Sequence, residues 1–349
     1  MSLRKRLLVS FAALLYYSGF IAIARWLTAR QGQRLIILNY HRAADGNLRQ
    51  HLCYLCRHYR IVPIEDALEE LYAPHTGKSR RRGRIPLVLT FDDGYQDNYT
   101  YALPLAQELR TPFTVYLVPG YIDSGEYFWW FEGKRLVERA QVREATVEGA
   151  LYRLDKPAER QALSTLIDTR LRYASSVAER EAFLTKVRAI LQISADVLEQ
   201  EKPLMPLTWE QVHEMQQSGM VYFGAHTMHH PILSYLSDAE ERKREITECR
   251  AVLKQRLGED VRTFAYPVGQ EQHIGDETYK AVRQAGFAWA VTTHYGFNTP
   301  QTDPWRLRRI EADVDQHWLV LAAEAAGVWG LISRLRWLPI VRKNFTNSR

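Results

Sequence analysis

Cysteine is scarce in this chain, with three in 349 residues. So few cannot form a disulfide framework, and Cys53 and Cys56 in "LRQHLCYLCRHY" have no second cysteine pair to complete a zinc knuckle. Leucines and tyrosines recur there at helical spacing, so the stretch reads as a structural helix. Internal repeats and low-complexity tracts are also lacking, which excludes solenoid and fibrous architectures. Charge of one sign is only mildly in excess, at +6, and a content of 46% hydrophobic and 25% charged residues is that of a globular protein. The basic excess fits an anionic neighbour, such as a membrane surface or an acidic glycan, or simply solvated basic faces. The run "GKSRRRGR" at 77–84 reads as a solvated loop. No nucleic-acid-binding motif or interleaved basic and aromatic surface is present, so nucleic acid is not expected as a partner.

The N-terminus is unusual in lacking charge over a long run. "MSLRKR" is followed by "LLVSFAALLYYSGFIAIA", 18 residues without a charged side chain. That length reaches the lower limit for a membrane-spanning helix. The same stretch can be read as a signal peptide, with Ala22-Ile23-Ala24 as a small-residue cleavage site, or as a helix lying in the interface. Arg25, Arg30 and Arg34 follow closely and blunt the charge asymmetry that would set an orientation. At the other end "GVWGLISRLRWLPIVRK" mixes Trp329, Trp337, leucines and basic residues as interfacial segments do. The ends are therefore assigned to a possible membrane anchor, 1–33, and an amphipathic helical segment, 314–349.

Between them, short β-rich runs occur at 34–41, 86–91, 113–118, 221–226, 262–267 and 288–293, with helical patterns between most of them. Alternation of this kind predicts parallel βαβ units in an α/β fold, and a barrel or a doubly wound sheet would both satisfy it. Gly258 and Gly286 fall where helix ends expect glycine. The region at about 127–206 breaks the rhythm. It opens with "YFWWF", carries no strand signal, and is predicted to be a mostly helical insertion.

The informative stretch is "LVLTFDDGYQDN", where an apolar strand runs into Asp92 and Asp93. Burying an ionised carboxylate costs free energy unless something compensates it. Active sites of parallel α/β folds lie at the carboxyl ends of strands, and two more such ends carry polar groups: "VYFGAHTMHHP" with its histidines, and "TFAYPVG" with Tyr266. One carboxylate and two imidazoles suit a catalytic divalent metal, and a cation would stabilise the buried acid. Asp93 and His226 are two such ligands, with His230 or His229 as the third. Pro231 biases the residue before it away from helical angles, so the histidines belong to a strand end and the turn after it. Asp92 is then free to take a proton from water that the cation has acidified, while Gly94 lets the chain bring both carboxylates to one mouth. Alone, "DDG" would read as a turn.

Thr90-Phe91-Asp92-Asp93-Gly94, His226-Thr227-x-x-His230-Pro231 and Phe264-Ala265-Tyr266-Pro267-x-Gly269, in this order, resemble the polysaccharide deacetylases, the NodB-homology or carbohydrate esterase family 4 group. The likeness covers about 34–124 and 205–313. It implies a distorted (β/α) barrel of the NodB type, here at 34–313, with the helical insertion and helical N- and C-terminal extensions lying outside it. It also implies removal of acetyl groups from N-acetylated sugars with a divalent metal, usually Zn²⁺, with Co²⁺ or Ni²⁺ as alternatives. By match of position Asp92 would be the general base and Asp93, His226 and His230 the metal ligands. Thr227 would support the loop, and Tyr266 would offer its backbone N–H to the developing oxyanion.

Two departures stand out. The arginine that many members place beside the base in the third motif is missing from "FAYPVG", which leaves Arg262, or Arg309 in "WRLRRIEA", to reach it from elsewhere. The late Leu-x-x-His segment that supplies the general acid is not evident. Relatives resembling biofilm-polysaccharide deacetylases carry a Tyr-His pair on an early strand instead, and "LNYHR" makes His41 the candidate acid, with His294 as the alternative.

The expected activity is metal-dependent de-N-acetylation of a hexosamine in a bacterial surface polysaccharide, lipopolysaccharide or lipid-linked precursor. The expected partners are that glycan and the surface of the inner membrane. A deformylase of a lipid-linked amino sugar would use the same residues. A noncatalytic membrane-tethered glycan-binding module is the reading from a different class.

Overall fold

The computed structural model of the chain describes residues 3–44, 46–73, 83–193 and 199–328. Its strands are β1 (Ile36–Tyr40), β2 (Arg60–Ile61), β3 (Pro86–Phe91), β4 (Phe113–Leu117), β5 (Glu144–Val147), β6 (Ala150–Arg153), β7 (Val221–Ala225), β8 (Thr263–Ala265), β9 (Trp289–Tyr295) and β10 (Leu307–Glu311). Seven of them run parallel around a closed barrel in the order β1-β10-β9-β8-β7-β4-β3, with β3 returning to β1 and β2 added beside the start of β3. This is the distorted (β/α) barrel expected, and the doubly wound alternative does not apply.

Side chains alternate across a strand, so each barrel strand divides its residues between lumen and helices. Ile37, Val88, Tyr116, Ala265, Val291 and Leu307 share one apolar cluster inside, together with Ile64, Leu68 and Leu71. The intervening Ile36, Leu38, Leu87, Leu89, Phe113 and Val115 belong to the larger cluster under the outer helices. Toward the carboxyl ends of the strands the lumen turns polar, with Asn39, Thr90, Thr114 and Arg309 all buried.

The helices before the insertion are α1 (Leu3–Tyr17), α2 (Phe20–Arg30), α3 (Leu48–His58), α4 (Ile64–Tyr72), α5 (Leu103–Leu109) and α6 (Pro119–Ser124). Cys53 and Cys56 lie on α3 as free thiols, as a structural helix requires. The insertion itself is formed by α7 (Trp129–Arg139), α8 (Pro157–Arg172) and α9 (Val177–Leu191). The insertion has its own core, including Leu136, Leu163, Ile167, Leu184 and Val187. It is not free of strand: β5 and β6 pair antiparallel, closed by Glu148 and Gly149 at φ 51° and 82°. Two consecutive residues at positive φ are what a tight hairpin turn demands.

The later helices are α10 (Trp209–Gln217), α11 (Ala239–Leu257), α12 (Glu271–Ile274), α13 (Asp276–Gln284) and α14 (Trp318–Ala325). Gly258 ends α11 in the left-handed conformation, and Gly286 follows α13 at φ 87°. The C-terminal segment at 314–349 is described only through 328, so Trp329 and Trp337 lie outside the described residues. At the N-terminus the uncharged run is split at Gly19, φ 79°, and α1 and α2 meet at a bend of 71°. No single helix among the described residues is long and apolar enough to cross a membrane; by length and composition only this bent pair would qualify.

One lumen contact gives a direct test of barrel packing. A Cβ added to Gly224 on β7 would lie 2.3 Å from Cε1 of Tyr116, whose ring is fully buried inside the barrel. Gly224→Ala is therefore expected to destabilise the protein by about 1–3 kcal/mol, seen as a lower urea midpoint at unchanged slope.

Candidate active site

The acid pair is delivered by a strand that ends abruptly. The Asp92 N–H donates to the Tyr40 carbonyl at 2.9 Å, which extends the pairing of β3 with β1 by one residue. Asp92 thus keeps the inward parity of Val88 and Thr90. Asp93 and Gly94 then adopt φ 75° and 76°, and these successive left-handed residues turn the chain across the mouth. Glycine takes that conformation freely, whereas aspartate does so at some cost. Thr227, His230 and Val268 are also at positive φ, so four of the seven such non-glycine residues among those described lie in loops after β3, β7 and β8. Strain of this kind persists where surrounding contacts over-determine the backbone.

Those turns bring Asp93, His226 and His230 together, each buried. Asp93 Oδ1 lies 3.4 Å from His226 Nε2 and 3.5 Å from His230 Nε2, and the three ligand atoms all fall within 4.8 Å of one another. An ion held at roughly 2.0–2.2 Å from each ligand spans separations of this order. The tautomer of His226 is set by its Nδ1–H, which donates to the Ala265 carbonyl at 2.7 Å and leaves the Nε2 lone pair facing Asp93 and His230, where it could bind an ion. Electrostatics agree with a cation site. Burial opposes the charge on His226, but the adjoining Asp93 and Asp92 carboxylates raise its pKa. Burial and then the charge on His226 push His230 down to about 3. Burial would raise Asp93, yet the two imidazoles hold it below its ordinary value. The carboxylate and His226 compete for a proton where a divalent ion would displace it.

Asp92 faces a different partner. Arg309 forms a two-pronged ion pair with it, Nη1 to Oδ1 and Nη2 to Oδ2, both at 2.7 Å, and both residues are buried. The same guanidinium donates to the Thr292 carbonyl at 2.9 Å, to Asn39 Oδ1 at 2.8 Å and to Thr90 Oγ1 at 3.3 Å. Burial alone would raise the Asp92 carboxyl, but the Arg309 charge, with that of His226, holds it far below the usual range. Of the two arginines considered for this place, Arg262 is elsewhere: it pairs with Glu65 and Glu69 on α4 and stacks on Trp289.

His41 directly follows β1 and lies close enough to Asp92 and Asp93 to help hold both carboxyls down. Its loop is clamped from below: Asn98 Nδ2 donates to the His41 carbonyl, and Asp97 accepts from Arg42, Ala43 N and Ala44 N. The alternative acid, His294, faces Glu271 on α12 at 3.4 Å. His229, the competing ligand, turns away from the cluster and binds Glu245 through both Nδ1 and its backbone N–H. Thr227 supports the loop by accepting from the His230 N–H at 2.9 Å.

Tyr266 requires a correction. Its backbone N–H donates to the Val291 carbonyl on β9 at 3.2 Å, and its hydroxyl donates to the Trp305 carbonyl. Its ring packs outside the lumen against Phe264 and Tyr279. The expected oxyanion donor is thus consumed by sheet pairing.

Two tryptophans of the insertion also reach the site. Trp130 stacks on Phe128, has its ring 4.3 Å from that of His230, and donates to the Tyr95 hydroxyl at 2.7 Å. Trp129 is buried and donates to the His230 carbonyl at 2.9 Å. Both tryptophans open α7, so the insertion reaches the site. Their clustering in "YFWWF" was visible, but which ring would pack and which would line the mouth was not.

Comparison with known proteins agrees with this geometry. No curated protein sequence matches. Among solved structures, a Streptococcus pyogenes deacetylase, PplD, in complex with acetate aligns at TM-score 0.53 and 17% identity, covering 83% of this chain and 97% of its own. IcaB from Ammonifex degensii aligns at 0.52 and 21%, covering 84% and 98%. A de-N-acetylase from Aggregatibacter actinomycetemcomitans aligns at 0.52 and 16%, covering 83% and 98%. At these identities the alignments establish the fold. The polysaccharide deacetylase family model matches residues 79–153 and 162–290, running through most of the helical insertion that the motifs alone had left outside the likeness. With more than half of its length matched by that model and its motif residues gathered at one barrel mouth, the chain belongs to the polysaccharide deacetylase family and is a deacetylase hydrolase.

Proposed function

We propose that the protein is a metal-dependent de-N-acetylase of an N-acetylhexosamine in a bacterial surface polysaccharide, lipopolysaccharide or lipid-linked glycan precursor. The observation that carries this reading is a carboxylate held ionised by Arg309 directly beside a three-ligand Asp93, His226 and His230 face. The N-terminal helices support placing the activity at the inner membrane, where lipid-linked precursors reside.

A divalent ion on that face, Zn²⁺ by the Asp-His-His donor set and Co²⁺ or Ni²⁺ as substitutes, supplies Lewis-acid polarisation of the amide carbonyl and lowers the pKa of water. Asp92 takes a proton from the attacking water, its orientation fixed because each oxygen already accepts from Arg309. His41 delivers a proton to the amine as the C–N bond breaks, so the products are acetate and a free amino sugar. Trp130 offers an indole wall against which a sugar ring stacks.

The decisive experiment incubates purified protein with N-acetylated glycan oligomers and identifies the released acid. Acetate is expected, with activity lost on chelation and restored by Zn²⁺ or Co²⁺. Formate from a formylated amino sugar would instead assign a deformylase, and activity indifferent to chelation would overturn the metal reading. Asp92→Asn should lower kcat by about 10²–10⁴-fold, the usual worth of a positioned base; a glycan-binding module would retain its affinity unchanged.

Arg309 controls the pH response. Because Asp92 titrates below its unfolded value of about 3.9, it contributes stability above that pH, lost as pH falls through the folded value. In Arg309→Met the largest charge opposing burial is gone, so the carboxyl moves up, with only His226 and His41 left to hold it down. The acidic limb of kcat/KM against pH should therefore move to higher pH, and unfolding should become easier by about 3–5 kcal/mol at neutral pH.

A further inference from the structure

We propose that α1 and α2 form a docking face for an anionic lipid surface, on which the protein rests without crossing it. This deepens the membrane placement above and is independent of the hydrolytic reading. The inner side of the pair is already spent on the protein. Ala12 is buried in a cluster with Leu319 and Val320 of α14, and α2 buries Ile21, Ala24 and Thr28. The Thr28 hydroxyl donates to the Ala326 carbonyl at 3.1 Å.

The outer side is apolar and open. At 3.6 residues per turn, Leu3, Leu7, Leu14 and Tyr17 fall opposite Ala12, and they are 75%, 63%, 65% and 78% exposed. Trp26 falls likewise opposite Ala24 and Thr28, and Ile23 opposite Ile21 and Thr28. Of fourteen large apolar side chains exposed among the described residues, nine lie between Leu3 and Leu27, so this is a concentrated patch and not the usual scatter.

Charge selects the occupant. Residues 1–34 contain six arginines and lysines and no aspartate or glutamate. An apolar stripe with purely basic flanks suits negatively charged headgroups above acyl chains. A second copy would bring like charge against like charge. The Arg30 guanidinium lies 3.8 Å from the centre of the Trp26 ring, a cation and aromatic pairing fit for the headgroup layer. Spanning fits poorly, since the 15 residues of α1 extend only about 22 Å against a hydrocarbon core of about 30 Å, and the 71° bend turns α2 aside.

The test sediments the full chain with vesicles of phosphatidylcholine alone or mixed equally with phosphatidylglycerol. Binding to the mixed vesicles should be at least about tenfold stronger and should weaken in high salt. The triple variant Leu7→Glu, Leu14→Glu, Trp26→Glu should lose about tenfold or more of that binding while keeping its thermal transition and its acetate release from soluble oligomers. Equal binding to both vesicles, no binding to either, or an unaffected triple variant would overturn the proposal. So would retention in membranes through alkaline carbonate extraction, which marks a span, or a dimer that the same substitutions dissolve. Acetate release on the same preparations reports on the hydrolase separately.

Discussion

Arg309 and Asp92 meet inside the barrel, and neither ion is tolerable there without the other. Apolar residues of similar volume would generally fill such a space at no loss of stability, so the pair is better understood through what it orients. Arg309 lies on β10, donates to the Thr292 carbonyl on β9 and to Asn39 Oδ1 on β1, and grips a carboxylate that follows β3. Four strands must be in register before the fork closes. Barrel closure through the pairings of β1 with β3 and with β10 is thus a precondition for an aimed Asp92 carboxylate. The same fork keeps Asp92 ionised at a depth where burial alone would protonate it.

How much of this was legible follows from side-chain parity. Six barrel strands announce themselves as apolar runs because both of their faces are buried. β10 does not, since "LRRIE" presents Arg308 to the outside and Arg309 to the lumen, and a buried arginine looks on paper like an exposed one. The residue was nonetheless a candidate, because the third motif lacked the arginine that the base needs. The hairpin of β5 and β6 was hidden by charge as well: Glu144, Arg153 and Glu148 sit in a region dominated by helix-forming residues. Tyr266 fails for the complementary reason. Its motif is readable, but whether a backbone N–H is free or paired depends on the neighbouring strand, and β9 takes this one.

Asp93, His226 and His230 were easier to read than their supports. Two histidines and an aspartate at strand ends advertise coordination by residue type, whereas the groups that hold them are ordinary side chains far away in sequence. His230 shows the consequence. Its backbone is at φ 53°, and its loop is held from three sides: Thr227 takes its N–H, Trp129 of α7 donates to its carbonyl, and Arg180 of α9 donates to the carbonyl of His229 at 2.9 Å. From α11, Glu245 fixes the His229 ring and backbone N–H.

Two of those supports come from the insertion, which changes what the insertion is. With a core of its own, it has the look of an appended unit. Yet buried Trp129 and Arg180 reach out of that unit to the carbonyls of the ligand loop, while Trp130 faces the imidazole itself. A strained loop stays in place only while its contacts outweigh the strain. The helical insertion is therefore part of the apparatus that holds the His230 loop, and its tryptophans link its own packing to the geometry of the Asp93, His226 and His230 cluster.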